Sequence, residues 1–190
     1  MPKPQLGRVM SVIKDPMVSD HFTLEIPALP SAGMNDTEGL LIQCQSMSKP
    51  GVTVDEVAVA LFGHTIVYAG RKVFNHDLNV TYVENVRGSI HTTLEGWAQI
   101  IRGTKTQHGS FKGGSPAEAA GSGYAVLGIV KIYDNVGELV LEYKLHNMWP
   151  ATIPEIPLDG TASNLITHQV GFKYDYYERS DGYSMRGTDY

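Results

Sequence analysis

Seven histidines lie at positions 21, 64, 76, 91, 108, 146 and 168, and none is spaced as HExxH or HxxxH, the repeat that places two imidazoles on one helical face to hold zinc. His146 falls on the polar side of an alternating segment and His168 on the apolar side, so they read as a surface residue and a satisfied core residue. Cys44 is the single cysteine. It excludes an internal disulfide framework and a cysteine zinc cluster, and with Leu40 and Ile42 it reads as a small buried hydrophobe. Gly113-Gly114-Ser115-Pro116-Ala117 falls short of a nucleophile elbow. The glycine-rich stretch around it lacks the Gly-Lys-Ser/Thr ending that cradles phosphate. Asp55 and Glu56 are adjacent and point to opposite faces of a strand. Glu138 and Glu142 share a face with Lys144 and read as a solvated strand face. No catalytic constellation, metal site or cofactor is expected.

The elements that would carry these residues are mostly strands. Phe22, Leu24 and Ile26 alternate with Thr23 and Glu25, and Pro27 ends the run. Leu40, Ile42 and Cys44 alternate in a second expected strand. Val57, Val59 and Leu61 form a third, ending at Gly63. Thr65 to Tyr68 gives a short one, and Leu78, Val80 and Tyr82 another. Tyr124 to Tyr133, the turn Asp134-Asn135-Val136-Gly137 and the alternation Leu139, Leu141, Tyr143, Leu145 make a hairpin. Ile166, His168, Val170, Phe172, Tyr174 and Tyr176 share a face in the last strand.

A single helix interrupts this rhythm. Ile90, Leu94, Trp97, Ala98 and Ile101 follow helical spacing, with Ser89 as expected N-cap and Gly103 as terminator. Trp97 reads as a core anchor, and Trp149-Pro150 as the fix of a turn between strand and loop. The expected organisation is one domain over residues 1–190. It has a flexible N-terminal arm 1–19, a Gly-rich loop 103–123 holding six glycines, and a polar tail 178–190.

Composition narrows the function. Charged residues make up 18% of the 190, against about 25% in an ordinary domain. A chain with a normal core and few charges is expected to cover part of its surface with neighbours. A net charge of −5 gives no positive field for holding nucleic acid. The first residues lack an apolar secretion signal, and no apolar run approaches a membrane span.

The order of elements resembles the tail tube proteins of contractile-tailed bacteriophages, themselves akin to the tube protein of the type VI secretion system. The residues that carry the resemblance are His21 to Ile26, Pro50-Gly51 before an acidic-valine strand, Arg71-Lys72-Val73-Phe74, Leu78 to Tyr82, Trp97 on the lone helix, Trp149-Pro150, and Val170 to Asp175. The resemblance implies a mainly β fold, a β-sandwich or partial barrel with one α-helix, and no enzymatic activity. Six copies would form a ring, inner strands would join edge to edge, and stacked rings would conduct the genome.

Implied partners are further copies of the chain, the tail sheath, baseplate and tail terminator proteins, and the tape measure protein and DNA passing through the lumen. No membrane is expected. The implied location is the virion, after assembly in the host cytoplasm. Lumen candidates are Glu25, Glu138, Glu142 and Lys144, an acidic lining that lets phosphate slide. Inter-subunit candidates are Pro50, Gly51, Val52, Asp55, Glu56, Arg71, Lys105 and Lys112. The segment Val52 to Arg71 and the loop 103–123 are expected to order on assembly. Two rival readings are the tube of a secretion or phage-like injection system, and a monomeric β-barrel that binds a small ligand.

Overall fold

The structure, a computed structural model, describes residues 18–30, 36–113, 123–161 and 163–181. In chain order the elements are β1 (Phe22–Glu25), α1 (Thr37–Ile42), β2 (Cys44–Met47), β3 (Val52–Leu61), β4 (His64–Phe74), β5 (Asp77–Val83), α2 (Ser89–Ile101), β6 (Val126–Tyr133), β7 (Leu139–Thr152), β8 (Thr167–Lys173) and β9 (Tyr176–Asp181). The expectation of a mainly β fold holds. Neither helix is long and apolar enough to cross a membrane.

One strand organises the sheets. β7 runs for 14 residues and pairs with β6 on one side. On its other side it pairs first with β9 and then with β8. The order is β1-β6-β7-β8-β5-β2, with β9 beside the first half of β7. Where β7 changes partners it holds one extra residue. Val126 faces Met148 and Gly128 faces Leu145, so His146 and Asn147 together oppose Leu127. Asn147 takes the left-handed conformation, φ 57°, which asparagine tolerates better than most side chains. Its Nδ2 donates to Asp175 Oδ2 at 2.8 Å, and the Asp175 N–H donates to the His146 carbonyl at 3.0 Å. The extra residue shifts the phase of burial. Tyr143 and Leu145 point inward before it, Met148 and Pro150 after it.

The core fills the angle between the two halves of the sheet. Leu24, Val130, Tyr143 and Leu145 meet Leu78, Val80, Tyr82, Val170 and Phe172, all buried. α2 closes it with Ile90, Leu94 and Trp97, each without exposed surface. The Trp97 ring sits 6.0 Å from that of Phe172, and its Nε1–H donates to the Tyr124 carbonyl at 2.7 Å.

Several elements differ from expectation. The segment around Leu40 is a helix, so the chain has two helices among the described residues. Asp36 accepts the Gly39 N–H at 3.0 Å and caps it. Leu40 is buried and Ile42 is 70% exposed, so they do not share a face. Cys44 is half-buried and packs at the core margin, where burial pushes its thiol up to about 11. β4 is not a four-residue stub but eleven residues. Trp149-Pro150 lies inside β7, Pro150 opposite Phe172, and does not make a turn. The chain bends at Asp175 and continues in the same direction along β7, and the break in alternation leaves Tyr176 42% exposed and off the face of His168 and Phe172. Residues 178–181, expected as tail, belong to β9. Of the Gly-rich loop, 103–113 is described and is anchored by the Arg102–Gly109 bridge. Residues 114–122 of that loop, the arm up to residue 17 and the tail from 182 lie outside the described residues.

Ser89 is not the cap of α2. Gly88 is, at φ 67°, and two side chains from the preceding loop take the free helix N–H groups. Glu84 accepts from His91 at 2.8 Å and Ile90 at 3.2 Å, and Asn85 accepts from Ser89 at 3.2 Å. The Glu84 carboxylate also bonds Nε2 of buried His168 at 2.8 Å. It therefore ties the start of α2 to the start of β8. Burial pushes the Glu84 carboxyl up, but the hydrogen bonds from His91, Asn85, His168 and Ile90 outweigh it and hold the group below its ordinary 4.5.

Two outcomes follow from this core. Trp97→Ala leaves a large cavity and an unpaired carbonyl, and denaturant unfolding should give a loss of about 3–5 kcal/mol. Glu84→Gln removes an acceptor and the charge beside His168, with an expected cost of about 1–3 kcal/mol near neutral pH. Because the folded carboxyl is depressed, its contribution is complete above 4.5 and disappears as pH falls through the lower folded value. The melting temperatures of wild type and Glu84→Gln should therefore converge on acidification, and a constant gap would contradict this role.

Candidate functional site

The first half of β7 lies in a four-stranded sheet, β1-β6-β7-β9, antiparallel throughout. Its inner face carries Leu24, Val130, Tyr143 and Leu145 into the core. Its outer face carries Glu25 on β1, Lys131 on β6, Glu142 and Lys144 on β7, and Glu178 and Ser180 on β9. Register makes these neighbours: Lys131 opposes Glu142, Glu142 opposes Ser180, and Lys144 opposes Glu178. Lys131 Nζ reaches both Glu25 oxygens, at 2.7 and 2.8 Å, and that hydrogen bond raises the pKa of the ammonium. Glu142 lies 3.5 Å from Lys144 and accepts from Ser180 Oγ at 3.4 Å. His146 stacks on Tyr176 with centroids 4.5 Å apart and lies 3.6 Å from Glu178.

The structure brings three of the expected lumen residues, Glu25, Glu142 and Lys144, onto one face. Glu138 is not among them. It closes the β6–β7 turn, its carbonyl accepting from Asp134 N–H at 2.9 Å and its own N–H donating to Asp134 Oδ1 at 2.8 Å. Lys131 and Glu178 complete the face and were missed. The signal for Lys131 was its odd position in the alternation of 126–133, opposite the buried Val130. The face is close to neutral, because two of its three carboxylates, Glu25 and Glu142, lie beside Lys131 and Lys144.

This sheet has two open margins among the described strands, β1 and β9. The Tyr133 N–H donates to the His21 carbonyl at 2.9 Å. Alternation then makes Thr23–Lys131 and Glu25–Ile129 the hydrogen-bonded pairs. The N–H and C=O groups of Phe22 and Leu24 point outward along the free margin. Three successive antiparallel pairings also leave β1 and β9 running in opposite directions. Polar backbone groups along such margins invite another chain.

The inter-subunit candidates fall in three places. Val52, Asp55, Glu56 and Arg71 lie on the β3–β4 hairpin, a separate two-stranded sheet. Asp55 accepts from Arg71 Nε at 3.1 Å. Gly51 sits at its base, where a Cβ would come within 2.7 Å of Asn75 Nδ2, and Pro50 is buried inside the chain, which removes it from the surface. Lys105 is exposed on the loop after α2, whereas Lys112 pairs with Asp175 of the same chain.

The hairpin is apolar and uncovered. Val57, Val59, Leu61, Ile66 and Tyr68 share one face by register, and each is 37–54% exposed. Ala58, Ala60, Val67 and Ala69 occupy the other. At its tip Phe62 and Gly63 both take positive φ, 50° and 80°, the two-residue turn that suits strand twist. Phe62 is fully exposed.

Residues 17–180 match the family model described as phage tail tube protein. No curated protein matches the chain. Among solved structures, a chain of the PVC sheath-tube complex in its extended state, from an extracellular contractile injection system, aligns with TM-score 0.59 and 12% identity. It covers 94% of this chain and 99% of that one. A chain of the PVC sheath/tube terminator gives 0.61 and 12%, covering 89% and 99%. A chain of the 6-fold symmetrised anti-feeding prophage baseplate gives 0.59 and 11%, covering 90% and 99%. At such identities the likeness is one of fold.

Proposed function

This chain belongs to the phage tail tube protein family and is a structural tube subunit, and from that premise we propose that six copies close into a ring through the margins of the β1-β6-β7-β9 sheet. The observation that carries the proposal is the even number of antiparallel strands between two open margins. Rotation about a ring axis keeps strand direction along that axis. Strand β9 of one copy therefore meets β1 of the next antiparallel, and every junction repeats the pairing inside each copy. Six is the count implied by the family likeness and matches the symmetry stated for the anti-feeding prophage baseplate. Six such sheets make a closed barrel of about 24 strands, with a bore of roughly 40 Å at common strand spacing and tilt.

The face of Glu25, Lys131, Glu142, Lys144 and Glu178 lines that bore. Its paired charges offer phosphate no net attraction, so a genome passes without sticking. Glu138 stands at the rim. The hairpin with Val52, Asp55, Glu56 and Arg71, together with Lys105, makes contacts outside the ring wall, to neighbouring rings and a tail sheath. Baseplate and terminator proteins end the tube, and the tape measure protein and DNA occupy it in turn. The protein works in the virion, after assembly in the host cytoplasm. The open margins argue against a monomeric ligand-binding barrel, which would have closed its sheet.

Phe22→Pro tests the ring. It removes an outward N–H from β1 and leaves the β1–β6 hydrogen bonds in place. Sedimentation velocity and negative-stain images should give hexameric rings or tubes for wild type and folded monomers for the variant. Rings that persist in Phe22→Pro place the subunit junction elsewhere.

A further inference from the structure

The β5–β8 pair fixes two poles of the molecule. At one end Asp77 opposes Lys173, and the β3–β4 hairpin arises there, its last residue Phe74 three positions before Asp77. At the other end Val83 opposes Thr167, and a cavity of about 530 Å³ opens just beyond. Seven paired residues separate the ends by roughly 20 Å. The cavity is walled by Ile153, Ile156, Leu158 and Ile166, with Glu84 and Glu95 on the side of α2. Leu158 is 80% and Ile166 41% exposed, so the apolar wall is uncovered in the single chain.

The two poles are complementary in chemistry. From Val57 to Gly70 the hairpin carries no Asp, Glu, Lys or Arg, and His64 beside the tip turn is its one imidazole. The cavity has an apolar wall, and Glu95 and Glu155 are exposed carboxylates on its lining. A tip rich in apolar surface with one basic heterocycle suits an apolar hollow with an acidic border. Knob and hollow lie at opposite ends and so are suited to meeting between copies. A contact of this kind is head-to-tail and repeats along an axis instead of closing in a pair.

We propose that the cavity beside Glu84 and Ile166 receives the Phe62 tip of a second copy in the adjacent ring, so that Phe62 is the anchor of ring-to-ring stacking. The inference rests on the tube reading and deepens it by naming the residue and its receptor. A side chain that fills a well-packed, desolvated pocket at the centre of an interface is the kind of contact that dominates binding. The hairpin's apolar faces then lie along the neighbour's wall.

The experiment has two parts. Phe62→Ala should fold with an unchanged melting temperature, since the side chain touches nothing in the single chain, and should still form rings. The protein concentration needed for tube growth should rise by about tenfold or more. In a Cys44→Ser background, Phe62→Cys combined with Ile166→Cys should give, on mild oxidation, a ladder of covalent multimers on a non-reducing gel, and each single cysteine should give none beyond a dimer. Tubes of Phe62→Ala that grow as wild type, or a double-cysteine tube without a ladder, overturn the inference while the tube reading stands. A wild-type chain that forms neither rings nor tubes at any concentration overturns both.

Discussion

The surplus residue in β7 is the constraint on which the architecture depends. A regular strand would keep one face toward the core along its whole length and serve one flat sheet. With His146 and Asn147 together opposite Leu127, β7 turns, and its two halves join differently oriented sheets around one core. The contacts that hold the turn come from the far side of the chain. Asp175 takes Asn147 Nδ2, gives its N–H to the His146 carbonyl, and accepts Lys112 from the loop after α2. That lysine and the Asn147 amide hold the Asp175 carboxyl below its ordinary range. The same turn decides where β9 ends and β8 begins on β7. It therefore decides that the outer sheet has four strands, and the four-strand count is what gives its margins opposite directions.

Much of this was legible in the residues, for identifiable reasons. The β6–β7 hairpin, β5, β8 and α2 have long alternating or helical runs and turn chemistry at their ends. Burial follows those runs at Val80, Tyr82, Trp97, Val170 and Phe172. The illegible parts are short or depend on distant partners. Leu40, Ile42 and Cys44 alternate by accident over five residues, a span in which helix and strand periods cannot be told apart. Asp36 decides the outcome by capping. The shift at Asn147 leaves no local sign, because Leu145 and Met148 three apart look like a broken alternation unless the bulge is known. The cap of α2 by Glu84 needed His168, 84 residues away, to be held in place.

The candidate surface was read in part for the same reason. Glu142 and Lys144 lie on one strand, so alternation alone placed them together. Glu25 joins them only because β1 pairs with β6, and the partner that binds it, Lys131, follows from that register. Glu138 fits the same alternation but falls one residue beyond the strand, where Asp134 turns it into the hairpin. Neutralisation of the face is a consequence of pairing that net charge could not reveal. A chain of −5 overall here presents an outer sheet whose acids are mostly answered by bases.

Low charge and exposed apolar surface are two views of one fact. An isolated two-stranded hairpin is marginal in water. Yet β3 and β4 extend for ten and eleven residues with both faces open and valine, leucine and isoleucine along them. Free backbone margins at β1 and β9 add polar groups that only another strand can pair in register. A soluble monomer guards against both features, with charges on margins and small apolar patches. This chain guards against neither. In its outer sheet it spends charge on internal pairs such as Glu25–Lys131, and on the hairpin on Asp55–Arg71. In the proposed tube the hairpin would be covered by a neighbouring copy and the sheet would be continued by the next one. On that reading folding and assembly are linked in free energy: the hairpin, which packs on little else in the single chain, would gain its order from the same contacts that build the tube.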